Sequence, residues 1–511
     1  MGQETELKFI GPEDAMARLR DSPVLKRLAG RRRAKTRELT AVYFDTDDFA
    51  LREAGVVLRV RDEGNGFVQT VKTLDGPDAA TRTEVKTPVA APAPDIGAIG
   101  DKRLRRTIEK AARGRALKAI FAVEMQRTTI VLVPKRGSEI EAAFDVGRVK
   151  TIEGIESECP ISEFELELLA GDVSELVACA RELTSGLPLT LALQSKAARG
   201  YALASGAASA PVKTATLVLP EKATAGDAFG RIVAHCLRHL LGNWTAIAVA
   251  RDPEGIHQMR VAIRRLRSAV TLFGGPFRAA LQPLEGDIRW LAQALGPARD
   301  LDVFEDEVFR PAAAAHGEDP RFEALTAIVR ARRQEAWNNV ISTLASERFR
   351  GLMLDIAAAT LGKPWLATST MAAERSAKVL ARKRLARRHA RAMKLGKIVK
   401  TLDAPGRHRL RIRLKKFRYA LDFFASLYPI RRVTKHLDRL GALQDVLGHM
   451  NDAAVARRLA GEFIAANHND AAAVDYACGV IAGWHLGHEG RHRKTLGRRW
   501  RRFAKLKPIW K

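Results

Sequence analysis

Apolar and polar residues alternate in short runs through the first part of the chain. A period of two is typical of half-buried β-strands. The runs predict about eight strands, at residues 3–10, 40–46, 56–62, 66–73, 81–88, 120–134, 139–147 and 161–169. Turn-like connections join most of them, which indicates an antiparallel sheet or a closed barrel. The same part of the chain predicts helices near residues 12–20, 101–112, 172–184 and 195–205.

From about residue 218 the apolar positions recur with the period of a helix and continue to do so until the chain ends. The segment before this change, residues 204–211, is small and uncharged and ends in Pro211, as linkers do. We therefore predict an α+β protein of several domains. A strand-rich domain covers residues 1–203, a linker covers 204–217, and an all-α domain covers 218–511.

The helical part contains an internal repeat. The segment from His257 to Arg267 recurs from His408 to Arg418, 151 residues later. About thirty residues after each copy comes a second shared motif, at 291–300 and at 443–452. A helix end with an Asp or Asn cap is a sufficient structural explanation for this second motif. The repeat predicts two related helical bundles, at about residues 218–365 and 366–511.

Basic residues outnumber acidic ones by 86 to 58, which gives the 511-residue chain a formal net charge of +28. The first 210 residues are nearly balanced, with 32 basic and 31 acidic residues, whereas the rest holds 54 against 27. All 12 histidines lie in this second part. A hydrophobic content of 46% excludes a disordered polycation. The helical part is therefore expected to bind a polyanion.

The remaining composition predicts a cytoplasmic protein. The 4 cysteines form no CxxC pair, which fits a reducing compartment and argues against a zinc ribbon. No secretory signal is expected at the N-terminus, and no apolar run is long enough to span a membrane.

Charged residues of both signs recur at every second position in most of the predicted strands. They are Glu4, Glu6 and Lys8; Arg59 and Arg61; Lys72; Arg82, Glu84 and Lys86; Arg127; Asp145; and Glu163, Glu165 and Glu167. Residues two apart share one face of a strand. That face is either exposed to water or lines the lumen of a closed barrel. In a lumen, the cations would hold phosphates and the carboxylates would hold divalent cations.

The order of these residues resembles the CYTH domain, also called the triphosphate tunnel metalloenzyme fold. Glu4–Lys8 matches its ExExK signature, and further pieces follow in the order of the family up to about residue 203. They are Tyr43–Thr46, Leu58–Arg61, Lys72, Arg82–Glu84, Phe144–Asp145, Glu163–Glu167 and Ser195–Tyr201. The resemblance implies an eight-stranded antiparallel tunnel that binds a triphosphate together with Mg²⁺ or Mn²⁺.

The resemblance also implies roles for single residues. Metal ligands would be Glu4, Glu6, Glu165 and Glu167, with Asp145 or Glu163 in support. The triphosphate would be held by Lys8, Arg59, Arg61, Lys72, Arg82, Arg127 and Lys196. The catalytic group would comprise Glu4, Glu6, Lys8, Glu165 and Lys196, with the attacking water held by the metal or by a carboxylate such as Glu165. Lys86 departs from the pattern, because many relatives carry a third acidic residue there.

A stripe of basic residues runs along each copy of the helical repeat. Steps of three, four and three place its members on one helical face. We call the two stripes together the basic seam: His257, Arg260, Arg264 and Arg267, and His408, Arg411, Lys415 and Arg418. Stacked like charges cost roughly 0.2–0.5 kcal/mol per pair in a helix. A single stripe could be a solvated face, but the matched pair favours binding of an anion.

The repeat resembles the CHAD domain, the conserved histidine α-helical domain. The two copies, the motif that follows each and the closing Trp500–Trp510 segment carry the resemblance, which covers about residues 220–511. It implies that the basic seam binds inorganic polyphosphate, with Arg265 and Lys416 added to the binding residues. It also implies association with polyphosphate granules.

Together the two resemblances predict a metal-dependent inorganic triphosphatase joined to a polyphosphate-binding domain. Three alternatives stay open: a polyphosphate-binding protein with an inactive tunnel, a tunnel with adenylate cyclase or thiamine triphosphatase activity, and nucleic-acid binding by the basic part. Nucleic acid is disfavoured because the seam is poor in aromatic residues for base stacking.

Overall fold

The computed structural model describes residues 5–64, 66–73, 84–152, 156–207, 210–317, 319–368, 370–466 and 471–510. The chain divides into two compact units. The strand-rich unit comprises Met1–Val212 with two later segments, Trp244–Ala250 and Ala345–Gly362. The helical unit comprises the rest of the chain, Lys213–Asn243, Arg251–Leu344 and Lys363–Lys511.

The described residues of the strand-rich unit form one antiparallel sheet of nine strands, in the order β5-β4-β3-β2-β6-β7-β8-β1-β9. The strands are β1 Glu6–Ile10, β2 Lys35–Asp45, β3 Val56–Asp62, β4 Phe67–Thr73, β5 Glu84–Val89, β6 Lys118–Leu132, β7 Glu139–Thr151, β8 Glu158–Ala170 and β9 Thr190–Leu191. The antiparallel sheet followed by helices confirms the predicted α+β class. Eight strands match the predicted runs, and the ninth, β9, has only two residues and so shows no alternating pattern.

Short helices connect the strands. They are α1 Glu13–Asp21, α2 Pro23–Ala29, α3 Ala50–Glu53, α4 Lys102–Ala112, α5 Val173–Thr184 and α6 Lys196–Ala204. Four of them begin at a side-chain cap that satisfies free backbone N–H groups. In α2, Ser22 accepts from the amide of Leu25. Asp101 accepts from two amides of α4, Asp172 forms a capping box with Glu175 of α5, and Ser195 accepts from the amide of Ala198 in α6.

Apolar residues cover one face of the sheet. On the opposite face they cover only one end. The first face packs on α4 through Leu58, Val60 and Ile108. On the opposite face, α6 covers one end of the sheet, where Tyr201 meets the ring of Phe121 at 5.1 Å between ring centroids. The remainder of this second face carries the charged side chains described below.

Tyr201 also fixes α6 to the end of β2. Its hydroxyl donates to Asp45 Oδ2 at 2.9 Å, and the fully buried Asp45 carboxylate accepts from the amides of Leu51 and Arg52 as well. Burial next to this carboxylate raises the pKa of Tyr201, which keeps the hydroxyl protonated as a donor. This anchor explains the two motif pieces Tyr43–Thr46 and Ser195–Tyr201 as a structural pair.

The later part of the chain is helical. Its helices are α7 Ala225–Leu241, α8 Trp244–Ala248, α9 Pro253–Phe273, α10 Gly275–Leu281, α11 Glu285–Ala294, α12 Gly296–Val303, α13 Arg310–His316, α14 Arg321–Ala345, α15 Glu347–Gly362, α16 Pro364–Thr368, α17 Thr370–Glu374, α18 Ala377–Gly396, α19 Ala404–Phe423, α20 Ile430–Ala466 and α21 Ala471–Ala504. Short 3₁₀ turns lie at Gln282–Leu284 and Ala425–Leu427, and a π-helical turn at Phe304–Phe309. The two repeat segments fall on α9 and α19, which pack against each other. None of the described helices is long and apolar enough to cross a membrane.

Candidate functional site

The strand register brings charges from four neighbouring strands together. Lys8 of β1 lies opposite Glu165 of β8, Glu163 of β8 lies opposite Asp145 of β7, and Asp145 lies opposite Arg127 of β6. Directly opposed residues in an antiparallel pair point to the same face of the sheet. The charged positions of these strands therefore share one face.

Three carboxylates form the centre of this face. The side-chain oxygens of Asp145, Glu163 and Glu165 all lie within 4.8 Å of one another. Asp145 is 0% exposed and Glu163 is 1% exposed. Three carboxylates at this separation, two of them buried, repel one another strongly unless cations compensate their charge.

Side-chain cations compensate the three carboxylates. Lys196 Nζ, at the first turn of α6, lies 2.6 Å from Asp145 Oδ2 and 3.0 Å from Glu165 Oε1, and it also contacts Glu163. Arg127 donates to Asp145 through Nε at 2.7 Å and to Glu165 through Nη2 at 2.5 Å. These two cations, predicted as phosphate ligands, thus contact the carboxylates in this structure.

The protonation states follow from these contacts. Burial alone would raise the pKa of Glu165, but Lys196, Arg127 and Lys8 lower it to about 2. The same carboxylates raise the pKa of Lys196 and Arg127 in spite of their burial. Burial lowers the pKa of Lys8, whose Nζ donates to the carbonyl of Gln194 at 2.6 Å. At neutral pH the Glu165 carboxylate is therefore ionised.

A pH dependence of stability follows from the low pKa of Glu165. Because the pKa falls from 4.5 to about 2 on folding, Glu165 stabilises the fold above pH 4.5, and this contribution disappears as the pH falls towards 2. Urea midpoints measured from pH 7 to pH 2 should fall less steeply below pH 4.5 in Glu165→Gln than in the unchanged chain. Parallel curves for the two proteins would contradict the assignment.

The predicted phosphate ligands on β3 and β4 surround one more carboxylate. Lys72 Nζ lies 2.7 Å from Glu84 Oε2, and Arg59 Nη2 lies 3.9 Å from Glu84 Oε1. Burial and the neighbouring Arg59 lower the pKa of Arg61, whose Nε lies 3.4 Å from Glu63 Oε1. Lys86, which departs from the family pattern, lies 3.6 Å from Glu84 with its side chain 60% exposed.

The other predicted residues of this face are placed differently. Glu4 and Arg82 lie outside the described residues. Glu6 is exposed on β1 and lies directly opposite Glu167 of β8. This pair lies two residues along the strands from the pair of Lys8 and Glu165. The prediction did not include Arg199, whose Nη2 lies 2.5 Å from Glu163 Oε1. Its position three residues after Lys196, on the same face of α6, is the signal that could have identified it.

The carboxylate group suits a hard divalent cation. Asp145, Glu163 and Glu165 offer only oxygen ligands, which Mg²⁺ and Mn²⁺ prefer. The ionised Glu165 carboxylate adds negative charge that such a cation needs. The residues present therefore fit the metal that the sequence predicts, and these three would hold it.

In the helical unit, the two stripes of the basic seam meet. Arg264 Nε of α9 donates to the hydroxyl of Tyr419 of α19 at 3.4 Å. His257 is half-buried, and burial together with Arg299, Arg264 and Lys415 lowers its pKa to about 4. His257 is therefore neutral at neutral pH and adds no positive charge to the seam.

The second shared motif contributes to the seam. Arg260 Nη1 donates to the carbonyl of Ala292 at 3.2 Å, and its Nη2 lies 4.0 Å from Asp300 Oδ1. In the other copy, Arg418 Nη1 donates to Gln444 Oε1 at 3.1 Å. The motif at 291–300, for which the sequence indicated a capping role, thus holds one seam arginine in position.

Three other predicted polyphosphate ligands have different surroundings. Arg265 is 5% exposed, its Nη1 lies 3.1 Å from Asp422 Oδ2, and it stacks on the ring of Phe423. It faces the core because it is one residue, about 100° around the helix, from Arg264. Arg267 and Lys416 are exposed, and burial together with Arg388 and Arg267 lowers the pKa of Lys416.

Comparison with known proteins matches both parts of the chain. The family model of the CYTH domain matches residues 2–201, and that of the CHAD domain matches residues 231–461. An uncharacterized protein of Mycobacterium tuberculosis is 26% identical over 460 residues, which cover 84% of this chain and 83% of the relative. The crystal structure of the CHAD domain from the plant Ricinus communis is 31% identical with a TM-score of 0.51, and the match covers 58% of this chain and 98% of that structure.

A third relative matches the strand-rich unit. An inorganic triphosphatase of Haemophilus influenzae is 33% identical over 166 residues, which cover 32% of this chain and 45% of the relative. The chain thus spans less than half of that relative's length. Both family models match in the order that the sequence predicts, and the chain belongs to the proteins in which a CYTH domain is followed by a CHAD domain.

Proposed function

We propose that the strand-rich unit is a divalent-metal-dependent triphosphatase that hydrolyses inorganic tripolyphosphate to pyrophosphate and phosphate. The CYTH match and the triphosphatase relative support triphosphatase-type activity at the level of the family. The observation that carries the proposal is the buried group of Asp145, Glu163 and Glu165, with Lys8 and Lys196 beside it. This group combines oxygen ligands for a cation with ammonium groups for phosphate.

The residues divide the work by charge. Arg59, Arg61 and Lys72 present cations on the same face of the sheet as the carboxylates and would bind phosphate oxygens. Phosphoryl transfer depends chiefly on such positioning and charge neutralisation. A divalent cation held by the carboxylates supplies further positive charge to the phosphoryl group.

Glu165 is better suited to hold charge than to remove a proton. A general base works best when its pKa lies near the operating pH. The pKa of Glu165 is about 2, so the carboxylate is a weak base at neutral pH. Glu165 would therefore help to hold the cation and would not take the proton of the attacking water.

Metal removal tests the proposal. Phosphate release from tripolyphosphate is expected with Mg²⁺ or Mn²⁺ and should stop when EDTA is in excess, because the charge that the cation would supply to the phosphoryl group is then lost. Return of activity after metal is added back controls for unfolding. Release that continues unchanged in EDTA after exhaustive dialysis would reject metal dependence.

The substrate is tested by comparison of rates. Tripolyphosphate should be hydrolysed faster than ATP or thiamine triphosphate at equal concentration. Formation of cyclic AMP, or faster hydrolysis of thiamine triphosphate, would instead support the corresponding alternative for this unit.

We propose further that the helical unit binds inorganic polyphosphate along the basic seam. Arg260, Arg264 and Lys415 lie at the junction of α9 and α19, where their charges act on one another or on His257. A linear chain of phosphates matches a linear series of cations. The CHAD match and the similarity to a solved CHAD domain support this assignment.

A further inference from the structure

A second basic feature of the helical unit is a cavity of about 600 Å³ bordered by α18 and α19. Three uncharged residues line it, Thr271 and Leu272 of α9 and Ile412 of α19. The other lining residues are eight cations: Arg384, Arg387, Arg388, Arg391 and Lys394 of α18, and Arg409, Arg413 and Lys416 of α19. The cavity is thus built almost entirely from basic side chains.

The cavity lies on another face of α19 than the basic seam, although Arg267 of the seam acts on the cavity residue Lys416. On α19, the seam residues His408, Arg411, Lys415 and Arg418 and the cavity residues lie on different faces, roughly 130° apart for a helix of 3.6 residues per turn. The five cations from α18 have no counterpart in the seam. One helix therefore serves two separate basic surfaces.

The positive charge of the cavity is uncompensated. In the part of the chain that the structure describes, none of the eight cations forms an ion pair with an Asp or Glu side chain. Burial and the neighbouring Arg384 and Arg391 lower the pKa of Arg388 to about 10. By contrast, the buried Arg265 of the same unit is paired with Asp422. Clustered cations without carboxylates favour the binding of an anion.

Three of the arginines are held in place by hydrogen bonds, and one of these runs from Arg413 Nη1 to the carbonyl of Arg391 at 2.9 Å. Arg388 Nη1 donates to Ser268 Oγ at 3.0 Å and to the carbonyl of Lys416 at 2.5 Å, and its Nη2 donates to the carbonyl of Ser268 at 3.2 Å. Arg384 Nη2 donates to the carbonyl of Phe273 at 2.6 Å. Arg387, Arg391 and the other exposed cations surround these half-buried ones. Such fixed donors lower the entropic cost of binding.

We propose that this cavity binds a compact anion with several phosphate groups, of the size of a short inorganic phosphate chain or a nucleoside triphosphate. Its volume, about 600 Å³, lies within the range of roughly 300–1,000 Å³ that is usual for small-molecule sites. Guanidinium groups bind phosphate oxygens through paired hydrogen bonds. The proposal concerns a small-molecule site that acts independently of the tripolyphosphate reaction and of the seam.

Residue-resolved labelling tests the proposal on the intact chain. Phenylglyoxal modification of Arg387, Arg391 and Arg409 is followed by mass spectrometry, in EDTA, with tripolyphosphate or ATP as the probe. At ten times the dissociation constant, mass action predicts an approximately tenfold slower modification of these three residues. Arg382, which is exposed on α18 but does not line the cavity, should react at an unchanged rate.

The two probes distinguish the sources of the ligand. Protection by tripolyphosphate alone indicates an inorganic chain, protection by ATP alone indicates a nucleotide, and protection by both indicates recognition of the phosphates only. Each of these results supports the site. No protection by either probe at millimolar concentration, or protection only by long-chain polyphosphate or nucleic acid, would overturn it.

A matched pair of variants provides the second test. Arg387→Ala/Arg391→Ala should raise the probe concentration needed for half-protection of Arg409 at least about tenfold, because charge-assisted hydrogen bonds are lost. Arg382→Ala/Lys383→Ala removes the same charge from the same helix and should leave that concentration unchanged. Thermal melting followed by circular dichroism shows whether both variants fold. Equal shifts in the two variants would mean that general electrostatics, and not the cavity, attracts the probe.

Discussion

Glu163→Gln/Glu165→Gln is expected to lower the rate of phosphate release from tripolyphosphate by about 10³-fold, since loss of the metal's charge stabilisation costs several kcal/mol in the transition state. The two side chains face Asp145 and Lys196 at the centre of the charged face. Glutamine keeps the shape of each side chain but removes two negative charges. The measurement is the initial rate of phosphate release at saturating Mg²⁺ and at saturating Mn²⁺.

The control for this variant lies on the opposite face of the sheet. Glu124 of β6 is paired with Arg148 and Lys150 and points away from Arg127 because their positions differ by an odd number. Glu124→Gln should therefore keep nearly full activity. If the double variant of Glu163 and Glu165 folds and retains activity close to that of the Glu124 control, the carboxylate group is not the reaction centre.

Replacing four seam cations is expected to weaken binding of long-chain polyphosphate by at least about 10³-fold, since each charge-assisted contact contributes roughly 1.5–3 kcal/mol. The changes are Arg260→Ala, Arg264→Ala, Arg411→Ala and Lys415→Ala. Hydrolysis of tripolyphosphate should be largely unaffected, because we propose that it takes place in the strand-rich unit. The measurement is the dissociation constant for a long chain at several salt concentrations, and its salt dependence should also become weaker.

A second set of four cations provides the comparison. Arg382, Lys383, Arg431 and Lys435 are exposed in the same unit and lie outside the seam. Their simultaneous change to Ala removes the same charge and should have only a small effect on the dissociation constant. If both quadruple variants weaken binding equally, the seam has no special role and the net charge of the unit accounts for binding.

The two-residue period of the strands was enough to predict the charged face of the sheet. Glu163, Glu165 and Glu167 alternate with buried apolar residues along β8, and a period of two leaves them only one common face. The register between distant strands required the structure. Only the pairing of β1 with β8 shows that Lys8 lies opposite Glu165 and that Glu6 lies opposite Glu167.

Tertiary contacts explain what the sequence could not predict. The position of Lys196 among the carboxylates depends on how α6 packs, through Tyr201, against Asp45 and Phe121. Composition alone could not show that Arg265 and Arg264 have different environments, because both are arginines in one basic segment. Of the two, only Arg265 is buried in the helical bundle. Likewise, the α18 arginines resemble a solvated face in sequence, and only the packing against α19 reveals a cavity.

The most direct test of the central claim is the fate of tripolyphosphate itself. Phosphorus NMR of tripolyphosphate incubated with the intact chain and Mg²⁺ or Mn²⁺ reports substrate and both products at once. The account predicts that pyrophosphate and phosphate appear in equal amounts as tripolyphosphate disappears, and that both appear about 10³-fold more slowly with Glu163→Gln/Glu165→Gln. An unchanged tripolyphosphate spectrum with every divalent cation tried would contradict it.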